Sequence, residues 1–559
     1  MDTLEAEDIH AIEQLLRSHE SVKDAAVLSV QKYGEDMLVG FVMLHDQALE
    51  NQIRTLGQSG DEFEAEQVQL WESVFDRRVY ATIDDEARRE TVGRDFTGWI
   101  SAYDGSLLDK TDMNEWLDDT IEMMVTHSIR DRPVNVVELG TGSGMILFSL
   151  ARHIRSYHGI EPSRKAVDFV SVTAQSIPEL ADKVYVYEGT ATDFHLLGSP
   201  SPDLVVINSV AQYFPSQAYL LEVVEGILKF GSVQTVVFGD IRSFALQKEF
   251  LVTKALHATG GKASKGALRE KISELEQAEI EFLVDPAFFT SLPDRFPGLI
   301  EHVCIIPKKM KATNELSCYR YAAVLYIASG SQQSGEQQQQ QQHLSSNIRE
   351  VADDEWIDFV DQGLDRATLS HRLITETPDI MAVSNIPYSK TAFERHCLDA
   401  LADGNGQEEN ADDDSAWLTS VRQSSQESPS LSALDLASIA QEAGYEVESS
   451  WARQFSQRGG LDVVFYRTQQ PSDTVAGSVG RGDKALWRFP TDHQGREPSA
   501  FSNQPLQQQA RQTIQRQLFE SLEDQLPMES VPEDIVILSA LPTTSDGKVD
   551  RQALSEKAN

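Results

Sequence analysis

The chain has 559 residues, of which 40% are apolar and 24% are charged, and these proportions are typical of a globular protein with two or more domains. Its formal charge of −40 argues against nucleic acid and anionic membranes as partners, because recognition of phosphate needs a positive field. Three scattered cysteines, and thirteen histidines without an H-E-x-x-H pattern, argue against a disulfide framework and against a metal site.

The first residues are acidic, and no run of about 18 apolar residues occurs anywhere in the sequence. A secretory signal would begin with basic residues. The sequence therefore predicts a cytoplasmic protein that does not cross a membrane.

The amino-terminal 45 residues predict a helix and a hairpin. Ile9, Ile12, Leu15 and Leu16 recur at helical spacing, and residues 22–28 and 38–43 have the pattern of two strands around a turn at Gly34. A unit of this size is too small to bury a stable core, so we expect another part of the chain to complete it.

Two further helices are predicted before the first strand of a larger domain. One carries Val68, Trp71, Phe75 and Val79, and the other is an amphipathic helix over residues 113–125. Aromatic residues and glycines alternate between them in residues 96–105, which include Trp99 and Tyr103. This segment is either a lid over a bound molecule or a packed aromatic loop.

Residues 136–144, with the sequence VVELGTGSG, predict a nucleotide-cofactor site. An apolar run ends at Glu138, and Gly140, Gly142 and Gly144 then alternate with Thr141 and Ser143 before a helix begins at Met145. Such a pattern is typical of a buried parallel strand, a tight turn without Cβ clashes, and a helix. Its spacing differs from the G-x-G-x-x-G of pyrophosphate binders.

Six more strand-like segments follow, mostly separated by helix-length stretches, and together they predict a doubly wound α/β sheet of seven strands. The segments are residues 156–161, 183–188, 203–207, 235–238, 302–306 and 319–326. The first of them ends in Glu161, a carboxylate that could accept hydrogen bonds from both hydroxyls of a ribose.

From residue 331 to about residue 482, segments with a regular pattern of apolar residues alternate with low-complexity segments. Residues 331–347, 403–429 and 468–482 are polar or repetitive, and we expect them to lack a fixed structure. Between them, residues 380–401 and 434–466 predict strands and helices that form a cap or a docking surface. The last part of the chain predicts a helix to about Leu522, a strand over residues 531–538 and a closing segment that contains Lys548.

In this order the motifs resemble an S-adenosylmethionine-dependent methyltransferase of the seven-stranded type. The motifs are ELGTGSG from Glu138, GIEP from Gly159, EGTATD from Glu188 and NSVAQYF from Asn208. More narrowly, residues 208–219, 238–242 and 284–289 resemble the N-methyltransferase domains embedded in fungal nonribosomal peptide synthetases of the cyclodepsipeptide and cyclosporin group. The resemblance covers residues 65–470 and implies a Rossmann-like class I methyltransferase fold with S-adenosylmethionine as cofactor.

The tail resembles the last core motif of adenylation domains, whose lysine, here Lys548, contacts carboxylate and phosphate during adenylate formation. The amino-terminal helix and hairpin resemble the first part of the same small α+β subdomain. We therefore expect residues 1–50 and 483–559 to form an adenylation carboxy-terminal subdomain, with a methyltransferase at 51–480 inserted between them. Its core would be residues 110–330 and its cap residues 350–467. The large adenylation core would lie outside this chain.

The resemblance also implies which residues bind the cofactor. Glu161 would bind the ribose, and the adenine contact stays open between Thr190, the Ala191 backbone and Asp193. The full set expected at the cofactor is Glu138, Gly140, Thr141, Gly142, Gly144, Glu161, Pro162, Thr190, Ala191, Asp193, Asn208 and Ser209. We expect the amides of the glycine turn to face the methionine carboxylate.

Four residues beyond the fourth and fifth strands are candidates to orient or deprotonate an acceptor amine, namely Gln212, Tyr213, Asp240 and Arg242. Each could instead be structural, and a local ion pair is the favoured role of Arg242. The function expected from the resemblance is N-methylation of an aminoacyl thioester on a phosphopantetheinylated peptidyl carrier domain. The alternatives are a C- or O-methyltransferase of an assembly line and an inert module that docks a carrier domain.

Overall fold

A computed structural model describes most of the chain. The described residues are 6–32, 35–45, 47–49, 51–52, 79–80, 83, 91–129, 132–328, 348–402, 416–467, 485–527, 530–538, 540–544 and 548–558. Several predicted features lie outside these ranges. They are the helix around Trp71, the turn at Gly34, and residues 331–347, 403–415 and 468–482 of the three low-complexity segments. The chain divides into two compact units, Met1–Gln69 with Gln504–Asn559, and Leu70–Asn503.

The strands of the described residues are β1 Val22–Lys32, β2 Glu35–Leu44, β3 Val134–Leu139, β4 Ile154–Glu161, β5 Val184–Glu188, β6 Leu204–Asn208, β7 Thr235–Arg242, β8 Ile300–Pro307, β9 Arg320–Ile327, β10 Ile348–Glu350, β11 Trp356–Asp358, β12 Ile380–Ile386, β13 Glu446–Ser450, β14 Leu461–Tyr466, β15 Leu486–Arg488 and β16 Asp534–Leu538.

The helices are α1 Ala6–Ser18, α2 Lys110–Ser128, α3 Met145–Ser149, α4 Arg164–Ser176, α5 Gln217–Leu228, α6 Gln247–Ala258, α7 Lys265–Gln277, α8 Pro286–Thr290, α9 Leu292–Arg295, α10 Glu315–Tyr319, α11 Arg366–Thr375, α12 Ala392–Ala402, α13 Ala416–Glu427, α14 Ala433–Ala443, α15 Pro505–Glu523 and α16 Arg551–Ala558. None of these helices is long and apolar enough to cross a membrane.

The smaller unit joins the two ends of the chain in one sheet of order β1-β2-β16, in which β16 runs parallel to β2. Its core combines Ile12 and Leu16 of α1 with Ile514 and Leu518 of α15. The buried Glu13 carboxylate accepts hydrogen bonds from the Val27 amide at 3.0 Å and from Arg551 at 2.6 Å. Lys548 is exposed in this unit, and its carbonyl accepts a hydrogen bond from the Thr544 amide at 2.8 Å.

The larger unit is built on the predicted seven-stranded sheet, which the structure confirms with the order β5-β4-β3-β6-β7-β9-β8. Strands β3 to β7 are parallel, whereas β9 is antiparallel to both of its neighbours. The strand order reverses between β3 and β6, and in sheets of this kind ligands bind beyond the carboxyl ends of the strands at such a reversal. The fold is that of a Rossmann-like class I methyltransferase.

A second sheet, of order β11-β12-β14-β13, shares a continuous core with the first. The Trp451 amide beyond β13 donates to the Ile305 carbonyl of the edge strand β8 at 2.9 Å. The Tyr388 hydroxyl beyond β12 donates to the Ser317 carbonyl of α10 at 2.8 Å. The segment predicted as a cap therefore packs against the edge of the first sheet and against the loops at the carboxyl ends of its strands.

Residues 485–503 pack with the larger unit, although the sequence analysis assigned them to the tail. Strand β15 pairs with β10, and the Trp487 ring lies 5.6 Å from the Tyr466 ring between centroids. The guanidinium of Arg496 binds the buried carboxylate of Asp285 at 2.9 Å. The apolar Leu486-Trp487 pair needs a partner surface, and the larger unit provides it.

Candidate functional site

The glycine turn after β3 has the conformation that its glycines allow. Gly140, Gly142 and Gly144 have φ values of 81°, 54° and 81°, in the left-handed region that side chains rarely adopt. A Cβ atom on Gly140 would lie 2.3 Å from Cγ2 of Val210, which follows β6. The turn therefore approaches the neighbouring strand end so closely that only glycine fits.

The three glycine amides of this turn bond within the protein, and contact of the turn with a methionine carboxylate stays a prediction. The Gly140 amide donates to the Ile160 carbonyl at 2.7 Å, and the Gly144 amide donates to the Thr141 carbonyl at 3.0 Å. The Gly142 amide donates to a carboxylate oxygen of Glu161 at 2.8 Å. The three glycines thus allow the turn to pack closely against its neighbours, and their own amides are used within the protein.

Glu161 lies at the end of β4 and ties two loops together. Its second oxygen accepts the Ser163 amide at 3.0 Å, across Pro162, at the start of α4. The side chain is 6% exposed. An ionised carboxylate only accepts hydrogen bonds, which is the property that contact with the hydroxyls of a ribose requires.

Glu138 is buried under the turn and is held by a neighbouring tyrosine. The Tyr157 hydroxyl donates to Glu138 at 2.5 Å and lies 3.2 Å from Thr141 Oγ1. Burial raises the pKa of Glu138 to about 8, although the Tyr157 hydrogen bond opposes this change. Glu138 therefore contacts the turn indirectly, because Tyr157 joins it to Thr141.

The adenine candidates form a closed turn after β5. One Asp193 oxygen accepts hydrogen bonds from the Thr190 amide and the Thr190 hydroxyl, both at 2.8 Å. Ala191, between them, is 9% exposed. Asp193 therefore shapes the turn, and the choice of adenine contact stays a prediction.

Asp240 is the centre of a buried polar cluster at the carboxyl ends of β6 and β7. It accepts hydrogen bonds from Trp116 Nε1 at 2.8 Å, from the Ser209 hydroxyl at 2.7 Å and from Arg320 at 2.6 Å, and Lys308 Nζ lies 3.9 Å away. Asp240 and Ser209 have positive φ values of 59° and 56°. Two adjacent strand ends thus share a strained conformation, which is typical of functional sites.

Burial by itself would raise the pKa of Asp240, but Arg320, Lys308 and the hydrogen bonds from Ser209 and Trp116 lower it below its usual value. A carboxylate with a lowered pKa is a weak base. The geometry therefore favours an orienting role for Asp240 over proton abstraction.

Arg242 forms the local ion pair that the sequence analysis favoured. It binds Glu279 at 2.8 Å and Glu281 at 2.6 Å, and its guanidinium lies 5.0 Å from the Phe250 ring centroid. Burial would lower the pKa of Arg242, but these two carboxylates raise it. The residue is a permanently charged part of the site wall.

Gln212 and Tyr213 lie on a short 3-10 helix, Ala211–Tyr213, beyond β6. The Gln212 Nε2 donates to the Ser209 carbonyl at 3.0 Å, so its Oε1 is the remaining acceptor. This Oε1 and the Asn208 Oδ1 are buried and accept no hydrogen bond from the described residues. Burial and the nearby Glu281 raise the pKa of Tyr213.

Trp99 and Tyr103 are packed residues. The Trp99 ring lies 4.6 Å from the ring of Trp116, and Tyr103 stacks on Phe250 at 5.5 Å and on His257 at 5.2 Å. The segment between them is held by the buried Glu315, which accepts the Ala102 amide at 2.8 Å. The segment is packed against the site in this structure, and its role as a lid stays a prediction.

The sequence analysis missed Glu315, Arg320, Lys308 and Trp116. Arg320 joins Asp240 to Glu315, at 2.6 Å and 3.7 Å. The sequence contained one usable signal, since Arg320 directly precedes the apolar run of β9 and Glu315 begins the helix before it. Charged residues that flank an apolar strand are candidates for a strand-end site. In the described part of the chain, no group of three or more His, Cys, Asp or Glu residues could hold a metal ion.

Comparison with known proteins agrees with this geometry. The family described as "Methyltransferase domain" matches residues 137–234, which contain the glycine turn, Glu161 and the strand end at Asn208. The nonribosomal peptide synthetase dtxS1 of Metarhizium robertsii is 46% identical over 98% of this chain. Cyclosporin synthetase simA of Tolypocladium inflatum is 43% identical, also over 98% of this chain.

The chain spans only 6% and 3% of the lengths of these two relatives. Among solved structures, magnesium protoporphyrin IX methyltransferase from Synechocystis with bound S-adenosylhomocysteine is 13% identical. That alignment covers 47% of this chain and 99% of the other, with a TM-score of 0.29.

Proposed function

We propose that the chain methylates the α-amine of an aminoacyl thioester held by a carrier domain of a nonribosomal peptide synthetase. Two findings support this proposal: residues 137–234 match a methyltransferase domain, and 98% of the chain is similar to fungal nonribosomal peptide synthetases. The cofactor is S-adenosylmethionine, which supplies an electrophilic methyl group when bound. Turn Gly140–Gly144 with Glu161 would hold it, and the buried Asn208 Oδ1 at the neighbouring strand end, which accepts no hydrogen bond from the described residues, provides an acceptor for a ligand there.

The observation that supports an acceptor with its own hydrogen-bond donor, such as an amine, is the buried Gln212 Oε1. Its amide orientation is set by the bond from Nε2 to the Ser209 carbonyl, so Oε1 must take its hydrogen from another group. An amine offers N–H donors to this oxygen and keeps a lone pair for the methyl group. Gln212 would thus orient the amine.

The charges around this position also suit an amine. Four carboxylates and three cations lie in two ion-pair groups that influence each other electrostatically. One group is Arg242 with Glu279 and Glu281, and the other is Asp240 and Glu315 with Lys308 and Arg320. A site with one excess negative charge attracts an ammonium ion. An α-amine has a pKa of about 7.7 to 8.0, so a useful neutral fraction exists near pH 7, and positioning provides much of the remaining catalysis.

The smaller unit would be the carboxy-terminal part of an adenylation domain, with Lys548 directed at the substrates of an adenylation core supplied by the same synthetase. Two observations support this proposal. Both chain ends contribute strands to one sheet, and Lys548 is exposed within the closing segment.

The test is calorimetric titration with S-adenosylmethionine, followed by mass spectrometry of an aminoacyl-pantetheine thioester incubated with the chain. We expect binding and a gain of one methyl group on nitrogen. The matched control is the α-hydroxyacyl thioester, which should gain none. Methylation of oxygen or carbon would replace the proposal by the C- or O-methyltransferase alternative, and absence of binding would favour the carrier-docking module.

A further inference from the structure

A small cavity opens beside the Asp240 cluster. Its wall includes Arg242, Phe250, Glu315, Tyr319 and Arg320. Arg242 and Arg320 are register partners at the ends of β7 and β9. The cavity therefore lies at the carboxyl end of β7, where an acceptor group would meet the cofactor.

A chain of hydroxyl groups leads from this cavity into the interior. The Tyr319 hydroxyl lies 3.0 Å from Thr253 Oγ1 on α6, and the Thr253 hydroxyl donates to Glu394 Oε1 on α12 at 2.8 Å. An ionised carboxylate only accepts hydrogen bonds, so the single Thr253 proton is directed to Glu394. Tyr319 is then the donor in its contact with Thr253, which is shorter than its second contact, with the Glu249 carbonyl at 3.4 Å. With Glu394 ionised, the chain is oriented toward Glu394.

Glu394 is suited to receive a proton. Its Oε2 is buried and has no hydrogen-bond partner in the part of the chain that the structure describes. Burial raises its pKa above the usual range, although the Thr253 hydrogen bond opposes this change. The titratable groups that face it from the surrounding elements are Tyr103, Glu249, Cys318, Tyr319 and Cys397, and the cations near Glu249 are Arg395 and Arg458.

We propose that Tyr319, Thr253 and Glu394 form a proton-transfer chain that deprotonates the acceptor ammonium group in the cavity. An N–H bond of the ammonium breaks and its proton passes to Tyr319 Oη, the Tyr319 proton passes to Thr253 Oγ1, and the Thr253 proton passes to Glu394 Oε1. The amine keeps the electron pair, Glu394 becomes neutral, and no other reactant is needed. This inference rests on the proposed methylation of an amine.

The experiment measures single-turnover methylation of an aminoacyl-pantetheine thioester by the 559-residue chain and by its Glu394→Gln variant across a pH series. Glutamine still accepts the Thr253 hydrogen bond but cannot take up the proton. Above the amine pKa of about 8 the acceptor is already neutral, so the chain is needed only at lower pH. We expect a rate loss of about 10- to 100-fold near pH 6.5 that shrinks to within about threefold near pH 9.

Thr253→Val interrupts the same chain with little change of shape and should give the same pH-dependent loss. Its matched control is Thr259→Val at the end of the same helix. Among the described residues, the Thr259 hydroxyl contacts the Ala255 and Leu256 carbonyls of its own helix. The control should keep the parent pH profile.

Rate–pH profiles of Glu394→Gln and Thr253→Val that run parallel to the parent profile would overturn the proton-transfer chain while leaving amine methylation intact. If Glu394→Gln does not fold, as judged by circular dichroism, the rate–pH profile of Thr253→Val alone decides whether the proton-transfer chain exists. Failure of the unaltered chain to methylate nitrogen would overturn the proposed function and the proton-transfer chain together.

Discussion

Both oxygens of Glu161 accept backbone amides, from Gly142 and Ser163. Glutamine at this position would present an NH₂ group to one of these donors and would lose the charge that favours hydroxyl donors of a ribose. A buried donor without an acceptor costs about 1–3 kcal/mol. We predict that Glu161→Gln weakens S-adenosylmethionine binding by about 10- to 100-fold, measured by calorimetric titration.

The control for this variant is Glu188→Gln. Glu188 is the register partner of Glu161 on β5, but it is exposed and pairs with Arg164 at 3.0 Å. It should bind the cofactor like the parent protein. Equal affinities for all three proteins would remove Glu161 from the cofactor site.

Glu249 should make stability depend on pH. Burial raises the pKa of Glu249 to about 7 in the folded protein, from its ordinary value of 4.5. Between these values the folded state binds more protons than the unfolded state, so this group's contribution to the free energy of unfolding falls as pH rises. Glu249→Gln removes that decrease, and relative to the parent it should gain on the order of 3 kcal/mol between about pH 4.5 and pH 8.

Urea unfolding at the two pH values measures this difference. Glu276→Gln, at an exposed position of α7, should show the same stability difference from the parent at both pH values. A pH-independent difference for Glu249→Gln would contradict the burial of an ionisable carboxyl at this position.

At the scale of the element, the turn between β3 and α3 depends on the absence of a side chain at Gly140. Alanine there would combine a left-handed backbone with a Cβ atom 2.3 Å from Val210. Gly444 provides the comparison, because it has φ 76° and ψ 34° after α14 and no atom lies within 4 Å of its added Cβ.

We predict that Gly444→Ala costs about 1–2 kcal/mol, the usual cost of a left-handed alanine. Gly140→Ala should cost at least about 2 kcal/mol more and should weaken cofactor binding, because Val210 or the turn must move. Denaturant unfolding and calorimetric titration measure the two effects. Equal costs at the two glycines would show that the turn does not need its close approach to β6.

At the scale of the whole molecule, the described residues of the cofactor motif all lie in the larger unit, Leu70–Asn503. We predict that residues 70–503 alone bind S-adenosylmethionine within about threefold of the affinity of the full chain, because domains with their own core fold as units. Calorimetric titration and thermal unfolding of the excised piece test this.

A shorter piece, residues 110–328, contains the seven-stranded sheet and should nevertheless fail to fold. Its core continues into the second sheet, because Leu251 and Leu325 belong to the same buried cluster as Leu436 and Phe465. Removal of the second sheet would expose a large apolar surface and cause aggregation. A soluble, cooperative unfolding transition for residues 110–328 would contradict this account of the core.

Much of the cofactor side could be predicted from the sequence. The glycine spacing after β3, the carboxylate at the end of β4 and the strand ends at Asn208 and Asp240 are encoded within a few residues of each strand. The period of apolar residues and the turn chemistry are local properties, so each segment indicates its own strand, turn or helix. The seven-stranded sheet follows from counting these segments.

The acceptor side could not be predicted in this way, because its contacts join residues far apart in the chain. Asp240 meets Arg320 across 80 residues, Thr253 meets Glu394 across 141 and Ala102 meets Glu315 across 213. The hydrogen bond of the Gly142 amide could not be predicted for the same reason, because its acceptor, Glu161, lies on the next strand.

The sequence by itself therefore determined the fold class, the cofactor motif and the two-part smaller unit, since each depends on local patterns and on their order. Only the tertiary structure decided which partners these side chains have. Asp240 is buried and binds Arg320, Ser209 and Trp116, and Arg242 pairs with Glu279 and Glu281. Tyr319, Thr253 and Glu394 lie in contact with one another in a row. Side chains on separate elements acquire their partners, their burial and their pKa values only when those elements pack, and no local pattern records that packing.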